Sequence, residues 1–177
     1  MTNSKINTKY FLLAGLIILA ALTRLINHPA NFSPIMAIAI FGGTLFDNKR
    51  IAFIAPLAAM FLSDLFLGFS LITIFVYSGF IVGIFIGFLL KHNLKVRNIV
   101  IASLSGSVIF FLITNFGSWM IDPMYQPLSI ESLMRCYTLA IPFFRNAIIG
   151  DAIYIAVLFG SYSLATKFLP LAEAKTK

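Results

Sequence analysis

Four ionisable side chains, Arg24, Asp64, Arg145 and Asp151, sit inside or at the ends of long apolar runs. At the centre of a helix in hydrocarbon, such a group costs at least ~2.5–3.5 kcal/mol on insertion scales. It therefore needs a partner, or it carries an ion, a proton or a ligand. Asp151 and Arg145 are six residues apart, a spacing that puts them on different faces of a regular helix and makes them poor partners for each other. Asp64 could pair with Arg145 or with Arg24. Two readings stay open for Arg24, Asp64 and Asp151: ion pairs that fix helix packing, or relay and ligand-orienting groups. Around these charges His28, Asn31, Asn115 and Asn146 offer hydrogen bonds, and Trp119, Tyr137 and Phe144 offer flat apolar walls. Together with Arg145, which would favour an anionic or carbonyl-bearing molecule, they form a mixture suited to a small-molecule site. Trp119 can equally be read as an interfacial belt residue.

Enzymatic chemistry finds little support. Two aspartates in apolar surroundings are similar to the carboxylate pair of an aspartyl intramembrane protease, which shares one proton. Those enzymes carry Gly-x-Gly-Asp, whereas this chain has Ile148-Ile149-Gly150-Asp151 and lacks the first glycine. His28 and His92 are far apart and give no metal-ligand spacing. Cys136, the single cysteine, has no evident base, and it excludes an internal disulfide. No glycine-rich phosphate loop appears. The expectation is a protein that is not an enzyme and holds no cofactor or metal.

The elements that position these residues are apolar helices. The chain has 177 residues, 60% hydrophobic and 11% charged, against about 25% charged in soluble domains. Six segments can be drawn, at residues 10–26, 33–46, 51–69, 71–90, 98–119 and 139–169. A hydrocarbon layer of ~30 Å takes about 20 helical residues, so the second segment is short. It must be tilted, accommodated locally, or completed by loop residues that fold into the membrane's edge. Segments three and four meet at Gly68, Phe69 and Ser70 and predict a tight antiparallel hairpin. A long loop at 120–138 contains a helical-looking stretch at 129–137. Pro142 then falls either in the first turn of the last helix, where proline is tolerated, or at an interruption that frees backbone groups. The start resembles a secretory signal, but Ala21-Leu22-Thr23 is a poor cleavage site and Arg24 follows directly, so a retained helix is expected.

Basic residues orient the bundle. Lys5 and Lys9; Lys49 and Arg50; Lys91, Lys95 and Arg97; and Lys167, Lys175 and Lys177 all fall on one side of a six-helix arrangement. The positive-inside rule makes that side, with both termini, cytoplasmic. The net charge of +7 is thus accounted for by topology and does not call for nucleic acid. Small residues recur every four positions at Gly79, Gly83 and Gly87, at Ala55, Ala59 and Ser63, and at Ala39 and Gly43. Such strips let helix backbones approach closely, within the bundle or against a partner. The polar loops at 27–34 and 120–138 lie on the outer side.

Residues 23–34 (TRLINHPANFSP), 63–68 (SDLFLG) and 141–146 (IPFFRN), with Gly150-Asp151, resemble a family of small bacterial membrane proteins of unknown function that carry the label of transport proteins. More distantly, the chain is similar to the substrate-binding S components of energy-coupling factor (ECF) transporters. That resemblance implies a six-helix bundle with both termini inside. It also implies a vitamin- or micronutrient-like ligand held near the outer face by the first outer loop and the later helices, and a scaffold membrane subunit with ATPases as partner. The Ala-x-x-x-Ala that many S components carry on the first helix is absent: Ala14 is followed by Ile18, and Ala20 by Arg24. The expectations are therefore an all-α, single-domain membrane bundle over residues 1–177, in the cytoplasmic membrane of a bacterium and embedded in the lipid bilayer. It would take up an unidentified small molecule through an outward-facing pocket. The alternatives are a solitary ion- or proton-coupled carrier and a non-transporting scaffold.

Overall fold

A computed structural model describes residues 3–169. All regular structure in it is helical: α1 (Asn3–Leu22), a 3-10 turn (Thr23–Leu25), α2 (Ile35–Leu45), α3 (Lys49–Leu67), α4 (Ile72–Leu90), α5 (Val96–Ile121), a second 3-10 turn (Pro123–Tyr125) and α6 (Ile130–Phe168). Five of the six α-helices, all but α2, are long and apolar enough to cross a membrane. Large apolar side chains such as Phe11, Ile54, Phe66 and Leu89 are exposed on the outside of the bundle, the arrangement expected where the surrounding solvent is hydrocarbon.

The centre of the bundle is α2. Its 11 residues span about 16 Å at 1.5 Å each, and every residue from Met36 to Leu45 is buried. It packs against each of the other five helices. The glycines explain how. A side chain at Gly87 would strike the backbone of Ile40, Gly43 and Thr44, and one at Gly83 would strike Met36 and Ala39. On α2 itself, Gly43 lies against the backbone of Ile84 and Gly87, and Gly42 takes the ring of Pro56 from α3. The Thr44 hydroxyl, 2.7 Å from the Ile40 carbonyl and 3.1 Å from the Gly87 carbonyl, can donate to either helix at this contact. Gly79 accommodates Phe110 of α5, so the whole α4 strip is spent inside the bundle.

Two expectations are corrected. Segments three and four are consecutive but do not form a close-packed hairpin. Their backbones diverge because α4 lies on α2 and α5, and they meet through long side chains: Phe53 against Phe85 and Phe88, and Tyr77 with Asp64. The last helix starts nine residues earlier than drawn. Ser129 and Ser132 form a capping box, each hydroxyl accepting the other's backbone N–H at 3.0 Å. That pair fixes the start at Ile130 and absorbs the supposed loop helix into one 39-residue α6. Pro142 is therefore well inside a continuous helix, neither in a first turn nor at a break. At about 58 Å, α6 is longer than a hydrocarbon layer. Its first turns are held on α5 by Trp119 Nε1 donating to Ser132 (2.9 Å) and Tyr137 donating to the Leu112 carbonyl (2.8 Å).

At the lysine-rich end, Lys9 is completely buried and pairs with Asp47 at 2.8 Å. Lys91 reaches the same carboxylate at 3.3 Å and the Phe46 carbonyl at 2.9 Å. Two of the orienting lysines thus also clamp α1 and α4 onto the α2–α3 turn. Burial works against the Asp47 carboxylate, but Lys9 and then Lys91 outweigh it and hold it below the ordinary 3.8. A lowered folded value means that this contribution to stability is complete above pH 3.8 and is lost as the pH falls through the lowered value. Acid should therefore reduce the unfolding temperature of the wild type in that range, and Asp47→Asn should abolish this component. For the glycine contact, Gly87→Leu should cost more than the ~1–3 kcal/mol usual for overpacking, because the obstructing atoms are backbone. Gly160→Leu, at a site open to 4 Å, should stay within about 0.5 kcal/mol of wild type. Thermal unfolding in detergent reads both.

Candidate functional site

Because α2 covers only part of the bundle's height, a space remains beyond its N-terminus, at the end opposite the lysine clamp. The chain between α1 and α2 folds down over this space. A turn closes with Phe32 N–H donating to the Pro29 carbonyl at 3.0 Å. Asn31 adopts φ +62, a left-handed conformation that asparagine tolerates better than most residues. Asn146 of α6 donates to the Ala30 carbonyl at 3.1 Å, and the Phe32 ring lies 5.8 Å from that of Tyr154. Gly150 lets the segment approach, since a Cβ there would lie 3.2 Å from Ser33 N and 3.3 Å from Phe32 Cα.

Under the segment is a cavity of about 440 Å³. One stripe of α5 forms a wall, with Ser107, Phe110, Phe111, Thr114, Asn115 and Ser118 at helical spacing. From α6 come Phe144, Ala147 and Asp151, again one stripe. Arg24, His28, Asn31 and Ser33 close it from the first connection, and Leu67, Ile72 and Val76 add an apolar side. Thr114 and Asn115 donate to the carbonyls one turn earlier, at Phe110 and Phe111, both at 2.8 Å. The Phe111 and Phe144 rings are 4.4 Å apart between centroids. A second groove of about 600 Å³ runs between α5 and α6 toward the lysine-rich end. It is larger, but it carries no charged side chain and includes the exposed Val96, Val100 and Leu104. Convergent polar groups single out the first space.

Two charged assemblies border the cavity. In the first, Arg24 binds Asp64 Oδ1 at 2.6 Å, donates to the Ser63 hydroxyl, and lies 3.4 Å from the Met60 carbonyl. Tyr77 donates to the other Asp64 oxygen at 2.8 Å. This resolves the choice of partner for Asp64 in favour of Arg24, and the pair is nearly dry, at 10% and 6% side-chain exposure. The 3-10 turn at Thr23–Leu25, with the Thr23 hydroxyl on the Ala20 carbonyl at 2.7 Å, brings Arg24 over α3. In the second assembly, Asp151 is only 4% exposed and accepts the Ser107 hydroxyl at 2.6 Å. The backbone N–H of Ala37, in the first turn of α2, faces the same carboxyl. Ile35 N–H donates to Ser33 Oγ at 3.3 Å. Asp151 and Ser33 thus serve N–H groups that the start of a helix leaves without partners.

Of the residues expected to touch a ligand, His28, Asn31, Asn115 and Phe144 line the cavity, as do Arg24 and Asp151. Asn146 is beside it and anchors its cover. Trp119 and Tyr137 hold α5 to α6 further out. Arg145 is exposed, away from the lining, and makes no ion pair or hydrogen bond among the described residues. Ser33, Ser107, Thr114 and Ser118 were not singled out. The 107-110/111-114/115-118 spacing of α5 could have revealed three of them. No group of three or more potential metal ligands occurs among the described residues.

Residues 4–172 match a family of unknown function, DUF6580. The chain belongs to that family. No curated protein and no solved structure matches it.

Arg24→Met should cost ~3–5 kcal/mol, the usual penalty for leaving a buried carboxylate without its cation. Arg24→Met combined with Asp64→Asn should recover much of that loss, since the amide still accepts from Tyr77. Chemical denaturation of the two variants in detergent checks both outcomes.

Proposed function

We propose that this protein is a non-enzymatic membrane uptake protein that binds a small organic molecule in the cavity beneath residues 28–33, in the manner of an S component. The observation that carries the reading is the convergence of Arg24, Asp151, His28, Asn31 and Asn115 on one space of about 440 Å³, at the end of the bundle away from the basic clusters. With the basic end cytoplasmic, the cavity belongs to the outer half of the bacterial cytoplasmic membrane, and the first connection is its lid. Its size falls within the ~300–1,000 Å³ of small-molecule sites, and the mix of aromatic walls with a few polar groups is of the same kind. A scaffold subunit with ATPases would then supply the energy for release inward.

A second reading, an ion- or proton-coupled carrier acting alone, is favoured by Asp151 itself, a buried carboxyl at the inner limit of the cavity with a serine hydroxyl on it. The scaffold reading has less to use, because the Gly79–Gly83–Gly87 strip is filled by α2 and α5.

Native mass spectrometry of protein released gently from its own membranes should find one small molecule bound. Asn115→Ala and Phe144→Ala should each weaken its retention about tenfold, equivalent to ~1.4 kcal/mol, while Trp119→Phe and Arg145→Ala retain it. A bare wild-type protein, with liposome uptake that needs no ATPase and stops when the proton gradient is collapsed, would establish the carrier instead.

A further inference from the structure

Arg24 is taken up by Asp64. His28 is half-buried, with Nδ1 at 3.1 Å from the Pro29 carbonyl. Asp151 has no cationic partner among the described residues, and its contacts are a serine hydroxyl and the first turn of α2. The N-terminus of a helix supplies roughly half an elementary positive charge, so it offsets a carboxylate only in part. Buried charges in proteins are paired or neutralised, because an isolated one is costly. Asp151 lines the cavity, so a cation held there would pair it.

The rest of the lining fits the same ligand. Phe111 and Phe144, tilted against each other at 4.4 Å on the cavity wall, offer apolar surface to the body of such a ligand. The oxygens of Ser107, Thr114, Asn115 and Ser118 can accept from an N–H donor. An anion would meet Asp151 with an arginine that is already engaged.

We infer that the ligand of this cavity is a small organic cation, such as an amine or quaternary ammonium compound carrying an apolar body, with Asp151 as its counter-ion and Phe111 and Phe144 against the apolar body. The inference rests on the binding reading above and narrows it to one chemical class.

The test uses the intact, detergent-solubilised protein and an ultrafiltered yeast extract separated by ion exchange into cationic, anionic and neutral fractions. Each fraction is added at matched dilution and the thermal unfolding temperature is read. The cationic fraction should raise Tm of the wild type and of Arg145→Ala, a change outside the lining, and the rise should be lost in Asp151→Asn. A rise produced by the anionic or neutral fraction in place of the cationic one overturns the cation assignment and leaves small-molecule binding standing. A cationic-fraction rise that persists undiminished in Asp151→Asn removes Asp151 as the counter-ion and overturns the inference likewise. No rise with any fraction overturns the binding reading and this inference together. If Asp151→Asn does not fold, the selectivity of the wild type among the three fractions decides the class by itself.

Discussion

The arrangement depends on one constraint: a helix of 11 residues occupies the centre of a bundle whose other members are long enough to cross a membrane. Backbone at that depth must satisfy its hydrogen bonds within the protein, because hydrocarbon offers none. The side of α2 is provided for by its own ladder and by glycine contacts that bring α4 against it. Its N-terminus is different. It ends short of the far face and presents N–H groups that only side chains or ligands can meet. Asp151 and Ser33 are placed there, and a carboxyl in the middle of the apolar α6 finds a physical reason.

From this shortfall the candidate site follows. A full-length second helix would fill the space with its own side chains. Stopping early leaves a volume that residues 26–34 cover but do not fill. The cover is held by Asn146 and by contact at Gly150, and it contributes His28, Asn31 and Ser33 to the lining. At the other end of α2, Lys9, Asp47 and Lys91 fasten the turn into α3.

Much of the helical layout was legible in the sequence because apolar run length is a direct reading of helix span. The second segment was recognised as short, but not as the buried centre. Hydropathy alone cannot distinguish a helix wrapped by protein from one wrapped by lipid, as both are apolar all round. The α6 start was missed because the capping serines, Ser129 and Ser132, lie in a polar stretch that resembles a loop. Arg24 and Arg145 were equal candidates to neutralise Asp64, and only the 3-10 turn after α1 decides between them. His28, Asn31, Asn115 and Phe144, which line the cavity, could be picked out by residue type. Trp119 and Tyr137 were not distinguishable from wall residues, because an aromatic that binds a ligand and one that joins two helices have the same chemistry. Lys9 was legible as a topogenic charge, but its burial against Asp47 was not.

The central claim is that the space over the start of α2 is a ligand site and not a packing remnant. A cryo-electron-microscopy map of the protein, reconstituted in nanodiscs without passing through detergent washes that strip small molecules, tests it most directly. The account expects compact, non-protein density bounded by Asn115, Phe144 and Asp151 beneath residues 28–33. A cavity closed by the surrounding side chains, or filled by a lipid chain continuous with the bilayer, would contradict it.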